Sequence, residues 1–435
     1  MNLLRTSFLS ALSVLIKITT SIFLNKVLAV YVGPSGYGVI GQLQSFISIV
    51  ITFASGAVNT GVTKYTAEYA TDCGRQHAIW GTAATLGLIC TALSAIGILL
   101  GHEQLSHWLL GNAEHSIVLI WLACALPIVV LNGLLLAILN GRKAVTTFVA
   151  ANIGGSLIGA LVAAVLVMTA GLSGALIALA ISQAITCCWT AWLTQRSLRL
   201  NWRDFAGKFD RRIARSLGGF AVMAATSAIL APLSHMLIRD NLSSHLGWES
   251  AGLWQALSKI SEMHLLLLTS TLSVYFLPKF SEIRDGVELR REVLKGYLFV
   301  IPIVTVSATA LYLLREPLVT TLLSSKFLPL VDVLGVQLLG DVMKIVSWVM
   351  AFTMLSHAQT RAFVVTEVVF SIMLVILTLV LTPRLGLLGA AIAYASTYAI
   401  YGIVVYRIFT RLVARLHAEP GSTLPLATSS PNSES

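Results

Sequence analysis

Charged residues are scarce in this chain. Of its 435 residues, 11% are Asp, Glu, Lys or Arg, whereas 56% are hydrophobic. Soluble globular domains carry about 25% charged residues, because a folded surface in water must be covered with polar groups. This composition excludes a soluble protein and leaves the lipid bilayer as the solvent for most of the chain.

Cysteine and catalytic motifs are also scarce. The five cysteines are odd in number, and all but Cys73 fall inside apolar stretches, so they offer neither a disulfide framework nor a zinc-binding spacing. The sequence lacks a Gly-rich loop ending in Gly-Lys-Ser/Thr, a His-Glu-x-x-His motif and a Gly-x-Ser-x-Gly motif. We therefore expect no catalytic residue, no metal and no cofactor.

Long apolar stretches follow one another from residue 8 to residue 409. A transmembrane helix needs about 20 mostly apolar residues, and apolar windows between polar breaks predict about twelve such helices. The predicted spans are Phe8–Tyr31, Val39–Val62, Ile79–Leu100, Ile117–Leu139, Phe148–Ala170, Leu172–Leu193, Leu217–Ile238, Ala251–Leu277, Leu298–Leu314, Val333–Leu355, Phe363–Leu381 and Gly386–Phe409. The predicted fold class is an all-α polytopic membrane protein.

The placement of basic residues orients these spans. With a cytoplasmic N-terminus, 21 of the 29 lysines and arginines fall in cytoplasmic segments, and four lie within spans. The opposite side holds Arg239, Arg315, Lys326 and Arg384. Because Lys and Arg accumulate in cytoplasmic loops, both termini are predicted to be cytoplasmic, in a multi-pass protein of the cell inner membrane. This bias explains the net charge of +10, so no nucleic-acid partner is expected.

The two halves of the chain are similar at a shift of about 215 residues. The ten residues beginning at Gly171 match the ten beginning at Gly386 at seven positions, and Gly33 and Gly38 correspond to Gly247 and Gly252. Repeats of six helices have the same orientation, which predicts two parallel lobes around a central cavity. The predicted domains are an N-lobe at 1–195, a basic cytoplasmic linker at 196–216, a C-lobe at 217–412 and a disordered cytoplasmic tail at 413–435.

Ionisable residues at bilayer depth are the candidates for a binding site, because each charge there costs at least about 2.5–3.5 kcal/mol and needs a partner or an aqueous cavity. Two polar stripes have i, i+4, i+7 spacing and so lie on one helix face. They are Gln255, Lys259 and Glu262, and Gln337, Asp341 and Lys344. Two interpretations stay open for both stripes: residues that line a cavity for a polar substrate, or charge pairs that hold helices together.

Two lysines of the first span have different predicted roles. Lys17 lies near the middle of the span, which favours a cavity role, whereas Lys26 lies near its outer end and can reach the interface. His235 and His264 are interpreted as helix contacts, with proton coupling as the alternative. The excess of lysines over acidic residues inside the membrane suits an anionic group such as a phosphate or diphosphate.

Several segments resemble the Wzx flippases of the multidrug/oligosaccharidyl-lipid/polysaccharide exporter superfamily. The similar segments are Gly56–Tyr65, Gly252–Gln255, Ser273–Pro278, Ser325–Phe327 and Gln337–Asp341. The similarity extends over residues 1 to about 412 and is strongest to the branch that contains O-antigen and enterobacterial common antigen translocases. Lys17, Lys26, Lys64, Gln255 and Asp341 match residue types of that branch, whereas Lys259 and Lys279 depart from it.

The resemblance implies a MATE-like transporter that moves an undecaprenyl-diphosphate-linked oligosaccharide from the cytoplasmic to the periplasmic leaflet, for O-antigen or related lipopolysaccharide biosynthesis. It also implies a polysaccharide polymerase and a chain-length regulator as partners. The complete set of substrate-binding candidates is Lys17, Lys26, Gln42, Lys64, Gln255, Lys259, Glu262, Gln337, Asp341 and Lys344.

Other functions remain open on sequence alone. An ion-coupled multidrug antiporter would share the architecture, although its site should favour a carboxylate over the lysines present here. A peptidoglycan-precursor flippase commonly has helices beyond twelve. A membrane glycan polymerase or ligase should have a large periplasmic loop, and a purely structural assembly protein would have no evident use for a cationic cavity.

Overall fold

The structure is a computed structural model that describes residues 3–198, 205, 209–357 and 359–418. The secondary structure of this part is helical, as the composition predicts. The α-helices are α1 Leu3–Tyr31, α2 Gly33–Ala54, α3 Asn59–Glu68, α4 Cys73–Leu110, α5 Ser116–Gly141, α6 Val145–Leu198, α7 Arg211–Thr271, α8 Leu277–Glu282, α9 Gly286–Leu313, α10 Arg315–Leu322, α11 Val331–Ser356, α12 Thr360–Leu385 and α13 Leu387–Ala418. Short 3-10 turns cover Ala113–His115 and Ser325–Leu330, and a π-helical turn covers Leu272–Phe276.

The helices have the lengths that a bilayer requires. Nine helices of the described part are long and apolar enough to cross a membrane. One of these, α6, has 54 residues, or about 81 Å of helix, which is more than twice a hydrocarbon core of about 30 Å. It breaks at Gly171, and the 61-residue α7 breaks at Gly247. The helix α7 is not among the nine, but each of its two arms is long enough to span the bilayer. With α6 divided at its break and the two arms of α7 added, the described part provides twelve membrane-length segments, in agreement with the predicted number.

Four helix-to-helix turns are made at a single glycine with positive φ. They are Gly33 (φ 73°), Gly171 (φ 56°), Gly247 (φ 85°) and Gly386 (φ 60°). Glycine adopts this left-handed backbone without the steric cost that a Cβ brings. Gly33 and Gly247 are equivalent positions of the sequence repeat, and so are Gly171 and Gly386. The repeat is therefore visible in the turn geometry.

Five predicted boundaries differ from the structure by eight residues or more. Two of them are the end at Leu100 and the start at Leu298, because α4 ends at Leu110 and α9 begins at Gly286. The second predicted span, Val39–Val62, is interrupted because α2 ends at Ala54 and α3 begins at Asn59. The amides of Gly56 and Ala57 donate to the carbonyls of Phe53 and Thr52, which is the hydrogen-bond pattern of a glycine-terminated helix.

The other two boundaries were placed too early. The seventh predicted span ends at Ile238, whereas α7 continues as helix to its break at Gly247. The last helix continues to Ala418, into the segment predicted to be a disordered tail. Residues 419–435 of that tail, and residues 199–204 and 206–208 of the predicted linker, lie outside the described residues.

The chain divides into two compact units. Unit 1 contains residues 1–259, 314–334 and 371–390, and unit 2 contains residues 260–313, 335–370 and 391–435. Unit 1 includes an apolar cluster around Val62, Ile79, Trp80 and Ile138. The core of unit 2 is built from a larger cluster that includes Phe276, Phe280 and Val349. The lobe boundaries at 196–216 stay a prediction.

Within unit 1, α2 crosses the second arm of α7 at two glycines. A Cβ on Gly252 would lie 1.7 Å from the Pro34 carbonyl oxygen, and a Cβ on Gly38 would lie 2.9 Å from the Gly252 nitrogen. These distances leave no room for a side chain at either position. Gly38 and Gly252 are equivalent positions of the sequence repeat, so the two halves of the chain meet here at matching residues.

Candidate functional site

A buried arginine joins three helical segments of unit 1. Arg239, on the first arm of α7, is 1% exposed. Its Nε donates to the Gln42 side-chain oxygen on α2 at 3.0 Å, and its two terminal nitrogens donate to Gln255 Oε1 and Ser45 Oγ. The guanidinium also lies 5.9 Å from the ring centre of Trp254. Arg239, Gln42, Ser45 and Gln255 are called the Arg239 cluster below.

The Arg239 cluster lies deep within the helices. Arg239 precedes the Gly247 break by eight residues and Gln255 follows it by eight, which places both about 12 Å from the turn along their arms. Gln42 lies about 13 Å along α2 from Gly33 by the same rise per residue. The sequence-based assignment of Arg239 to an outer loop is therefore wrong.

The error has an identifiable cause in the sequence. Residues 239–245 read Arg-Asp-Asn-Leu-Ser-Ser-His, a polar run typical of a loop, but they form the last turns of the first arm of α7. The predicted candidates Gln42 and Gln255 are brought together by this arginine. A signal was present, since two glutamines in membrane spans require polar partners.

Lys17 lies in a different part of unit 1. Its side chain lines a pocket of about 240 Å³ between α1, α2 and the two arms of α6. The pocket also presents the hydroxyl-bearing residues Thr20, Ser21, Ser156 and Ser182. A pocket of this volume suits a compact head group. A cation in the middle of a span, surrounded by hydroxyls, can bind an anion.

The other two candidate lysines of the first half, Lys26 and Lys64, have local partners. Lys26 is half-buried, and its Nζ donates to the Thr320 carbonyl oxygen at 2.9 Å, where it satisfies the C-terminal end of α10. Lys64 is exposed on α3, with its Nζ 5.3 Å from the ring centre of Tyr65. Each lysine thus has a contact that a purely structural role would explain.

A second buried polar group lies in unit 2, around Asp341 of α11. Asp341 is fully buried; its Oδ2 lies 3.2 Å from His264 Nδ1, and its Oδ1 accepts a hydrogen bond from the Tyr394 hydroxyl at 2.9 Å. His264 Nε2 lies 2.8 Å from Ser307 Oγ. His264 contacts Asp341 and Ser307, and both interpretations of it, helix contact and proton coupling, stay predictions. Asp341, His264, Tyr394 and Ser307 form the Asp341 cluster.

Lys344 lies next to this cluster among aromatic rings. Its Nζ is 5.2 Å from the ring centre of Trp348, 5.7 Å from Tyr394 and 5.0 Å from Tyr398. Cations within about 6 Å of an aromatic face are attracted by its electrons. Because Asp341 and Lys344 both contact Tyr394, they share a face of α11, as their spacing predicts.

The remaining candidates are dispersed. Gln337 is buried and its Nε2 donates to Ser261 Oγ at 3.1 Å within unit 2. Lys259 is half-buried at the end of its segment of unit 1, and Glu262 is exposed in unit 2, where it interacts electrostatically with Lys344 and Tyr394. Of the ten candidates, two belong to the Arg239 cluster (Gln42 and Gln255), three lie together in unit 2 (Asp341, Lys344 and Glu262), one lines the pocket (Lys17), and four lie at other positions (Lys26, Lys64, Lys259 and Gln337). A binding role for each of them stays a prediction.

Comparison with known proteins gives sequence relatives over nearly the whole chain. The family described as polysaccharide biosynthesis protein matches residues 27–332. The lipid III flippases of Escherichia coli (strain K12) and Shigella flexneri are each 30% identical to the chain over 401 residues, covering 92% of it and 96% of theirs.

Solved structures show the same fold at low sequence identity. An inward-facing multidrug resistance MATE family transporter of the MOP superfamily has a TM-score of 0.80 at 15% identity, with 93% of this chain and 96% of that chain covered. A MOP superfamily transporter from Pyrococcus furiosus, described as having a binding pocket of reversed polarity, has a TM-score of 0.67 at 16% identity, with 94% and 96% covered. The predicted MATE-like fold is confirmed.

Proposed function

The chain belongs to the polysaccharide biosynthesis protein family, and we propose that it is a flippase for an undecaprenyl-diphosphate-linked oligosaccharide. It is a membrane transporter of the MOP superfamily and not an enzyme. The proposed cargo moves from the cytoplasmic to the periplasmic leaflet of the inner membrane, with both termini of the protein cytoplasmic. The proposed product is an O-antigen or a related surface polysaccharide, with a polymerase and a chain-length regulator acting on it afterwards.

The observation that carries this proposal is the pocket around Lys17. A lysine in the middle of a span costs free energy unless water or a ligand meets it, and here it faces a pocket with several hydroxyl groups. A diphosphate is the part of the cargo that such a pocket fits by charge and by volume. The names of the flippase relatives support a lipid-linked cargo.

The experiment is a leaflet assay on protein reconstituted into vesicles. A fluorescent polyprenyl-diphosphate oligosaccharide is incorporated, and a membrane-impermeant quencher reports the fraction that remains in the inner leaflet. We expect Lys17→Ala to lower the flipping rate at subsaturating cargo by at least about tenfold, because a hydrogen bond to a charged group contributes about 1.5–3 kcal/mol. Lys17→Arg should keep most of the rate.

Lys326→Ala is the matched control, since Lys326 is an exposed lysine of the 3-10 turn before α11. It should flip the cargo at the wild-type rate. Equal rates in wild-type and protein-free vesicles would refute a flippase. Transport of a cationic drug in place of the lipid, driven by an ion gradient, would favour the multidrug antiporter.

A further inference from the structure

A further pocket, of about 440 Å³, lies in unit 2 between α9 and the π-helical turn that follows α7. It is lined by Tyr275 and Phe276 of the turn and by Glu292, Lys295, Gly296 and Phe299 of α9. The four residues of α9 have i, i+3, i+4, i+7 spacing and so lie on one face of that helix. Sites for small molecules usually have volumes of about 300–1,000 Å³. This pocket, called the α9 pocket below, is therefore large enough to hold a ligand.

The α9 pocket depends on the absence of a side chain at Gly296. A Cβ there would lie 3.0 Å from the ring of Phe276, so a larger residue would occupy part of the space. Phe276 is buried and its ring centre lies 5.5 Å from that of Phe280, which makes it the inner wall. Tyr275 and Phe299 are 61% and 56% exposed. These two aromatic side chains form the outer rim of the pocket.

The position of the pocket along α9 corresponds to the edge of a bilayer. Five of the eight residues from Glu288 to Lys295 are charged, whereas the 18 residues from Gly296 to Leu313 include none that is charged. Eighteen helical residues are about 27 Å long, close to the thickness of a hydrocarbon core. Lys295 therefore lies at the level of the lipid head groups. Phe299, about 6 Å farther along the helix, lies at the start of the hydrocarbon.

The head-group end of the pocket has one charge of each sign. Lys295 Nζ donates to Glu292 Oε1, one turn earlier on the same helix. The lysine side chain is 54% exposed and the glutamate side chain is 16% exposed. A half-buried carboxylate needs a positive partner, so an anionic lipid that took Lys295 away from Glu292 would leave the carboxylate uncompensated. A lipid that carries both a phosphate and an ammonium group supplies a partner for each residue.

The kind of ammonium group follows from its proposed partner. A carboxylate only accepts hydrogen bonds, and a primary ammonium donates them, whereas the quaternary ammonium of choline has no N–H to donate. Quaternary ammonium groups are bound instead over aromatic faces. The aromatic Phe299 lies on the hydrocarbon side of Lys295, where the acyl chains and not the head group are expected. The chemistry of the pocket thus favours a lipid with a primary amine.

We propose that the α9 pocket binds a zwitterionic phospholipid with a primary amine, of the phosphatidylethanolamine type, with its phosphate on Lys295 and its ammonium on Glu292. An acyl chain of this lipid lies against Phe276 and the rim residues Tyr275 and Phe299. Each charged side chain keeps a charged partner, in hydrogen bonds of the stronger, charge-assisted kind. The lipid is a bound component of unit 2 and is distinct from any transported cargo.

The bound lipid should stabilise the packing of the turn against α9. The π-helical turn at Leu272–Phe276 has a hydrogen-bond pattern that is rare and limited to short segments. An acyl chain in the pocket would contact both this turn and α9. Because a ligand that binds the folded form favours that form, the lipid should make local opening of both segments less frequent.

The experiment is native mass spectrometry of the full-length protein, freed of lipid in detergent and titrated with single lipids. The probes are the dioleoyl forms of phosphatidylethanolamine, phosphatidylcholine and phosphatidylglycerol, so that the acyl chains are identical. We expect the first phosphatidylethanolamine to bind about tenfold more tightly than the first molecule of either other lipid, the effect of one hydrogen bond between charged groups. Soluble phosphoethanolamine should bind more weakly than the lipid by at least the same factor, because it has no acyl chain to bury.

Two variants separate the contributions of the charged pair. Glu292→Gln should bind phosphatidylethanolamine and phosphatidylcholine equally, whereas Lys295→Gln should weaken all three lipids, because each has a phosphate. The matched control is Asp72→Asn, which removes the carboxylate from another i, i+3 pair, the exposed Asp72–Arg75 pair of unit 1. Asparagine caps a helix as well as aspartate does, so α4 should be retained and the lipid preference should equal that of wild type.

Hydrogen–deuterium exchange of the same samples locates the lipid. Phosphatidylethanolamine should slow exchange in peptides covering residues 272–280 and 286–299 of wild type, since hydrogen exchange reports how often a segment opens. The same lipid should slow these peptides much less in Glu292→Gln at equal concentration. The peptides covering residues 33–54, which form α2 in unit 1, serve as the internal reference.

Three results would overturn the proposal. Equal binding of the three lipids would mean that the pocket does not recognise the head group, and tightest binding of phosphatidylglycerol would assign it to an anionic lipid. A preference for phosphatidylethanolamine that persists in Glu292→Gln, or slower exchange outside residues 272–299 alone, would place the lipid elsewhere. The leaflet assay decides the proposed flippase function separately.

Discussion

Arg239 in unit 1 and Asp341 in unit 2 are both buried charges in a membrane protein, yet their surroundings differ in kind. The described partners of Arg239 are two amides and a hydroxyl, with Trp254 beside them. Asp341 contacts a histidine and a tyrosine, and that tyrosine also lies against Lys344. The described acceptors of the first charge are neutral dipoles, whereas the second belongs to a network of ionisable groups.

Removal of Asp341 should have the largest effect. In Asp341→Ala, His264 and Tyr394 lose their acceptor and Lys344 loses a nearby carboxylate, so we expect a loss of about 3–5 kcal/mol, the usual cost of breaking a buried charge pair from one side. The measurement is the apparent melting temperature and the yield of monodisperse protein in detergent.

Asp332→Ala is the control for this prediction, because Asp332 is exposed in the first turn of the same helix. Its stability should equal that of wild type. If Asp341→Ala is as stable as Asp332→Ala and only transport declines, Asp341 acts on the cargo and the distinction between the two clusters is incorrect.

Gly252→Ala should have the second-largest effect, with a loss of about 3 kcal/mol in the free energy of unfolding. The new Cβ would overlap the Pro34 carbonyl oxygen, and overpacking typically costs about 1–3 kcal/mol; the upper end applies because the contacted atom is backbone. Gly218→Ala on the same helix meets open space and should gain up to about 1 kcal/mol of helix propensity. The melting temperatures of both variants, measured beside wild type, show whether Gly252→Ala lowers the stability and Gly218→Ala raises it.

Arg239→Ala should cost less than Asp341→Ala, about 2 kcal/mol. Its removal leaves the buried Gln42 oxygen without this donor, and an unsatisfied neutral group costs about 1–3 kcal/mol, without stranding a charge. Arg384→Ala is the control, with no change expected. A loss as large as that of Asp341→Ala would mean that Arg239 too belongs to an ionic network, and the comparison between the units would fail.

Ser261→Ala should have the smallest effect, about 0.6 kcal/mol, the average for side-chain hydrogen bonds between membrane helices. Ser261 accepts from Gln337, a pair of neutral groups at the edge of the second network. Ser281→Ala provides the baseline in the same melting assay. Ser281 is exposed, and its described hydrogen bond is to the Pro278 carbonyl oxygen in the same helical turn. A loss above about 2 kcal/mol would indicate that Ser261 supports the Asp341 cluster.

The sequence predicted the helices well because their signal is local. An apolar window of about 20 residues defines a span, and the repeat offset matched Gly33 to Gly247 and Gly171 to Gly386, although the turns made there were found only in the structure. The break after Ala54 was missed because composition alone cannot distinguish a glycine that ends a helix from a glycine at a contact between two helices.

The site was predicted less completely because its contacts are distant in sequence. Asp341 was found from its polar spacing on α11, but its partners His264 and Tyr394 lie 77 and 53 residues away. Arg239 meets Gln42 across 197 residues, and nothing in the spacing of either residue indicates that pairing. Local pattern identified which residues need a partner, and tertiary packing decided which partner each receives.

The glycine turns also determine where this protein can be cut or labelled. Proteolysis and tolerated insertions concentrate in exposed, flexible loop tips, whereas a turn made at one glycine leaves a protease no extended segment to bind. An epitope tag placed at Gly33, Gly171, Gly247 or Gly386 would disrupt a helix pair, and topology mapping at those positions would give false negatives. The connection at 111–115 offers a longer exposed stretch, and it is the better position for tags, antibodies and limited digestion.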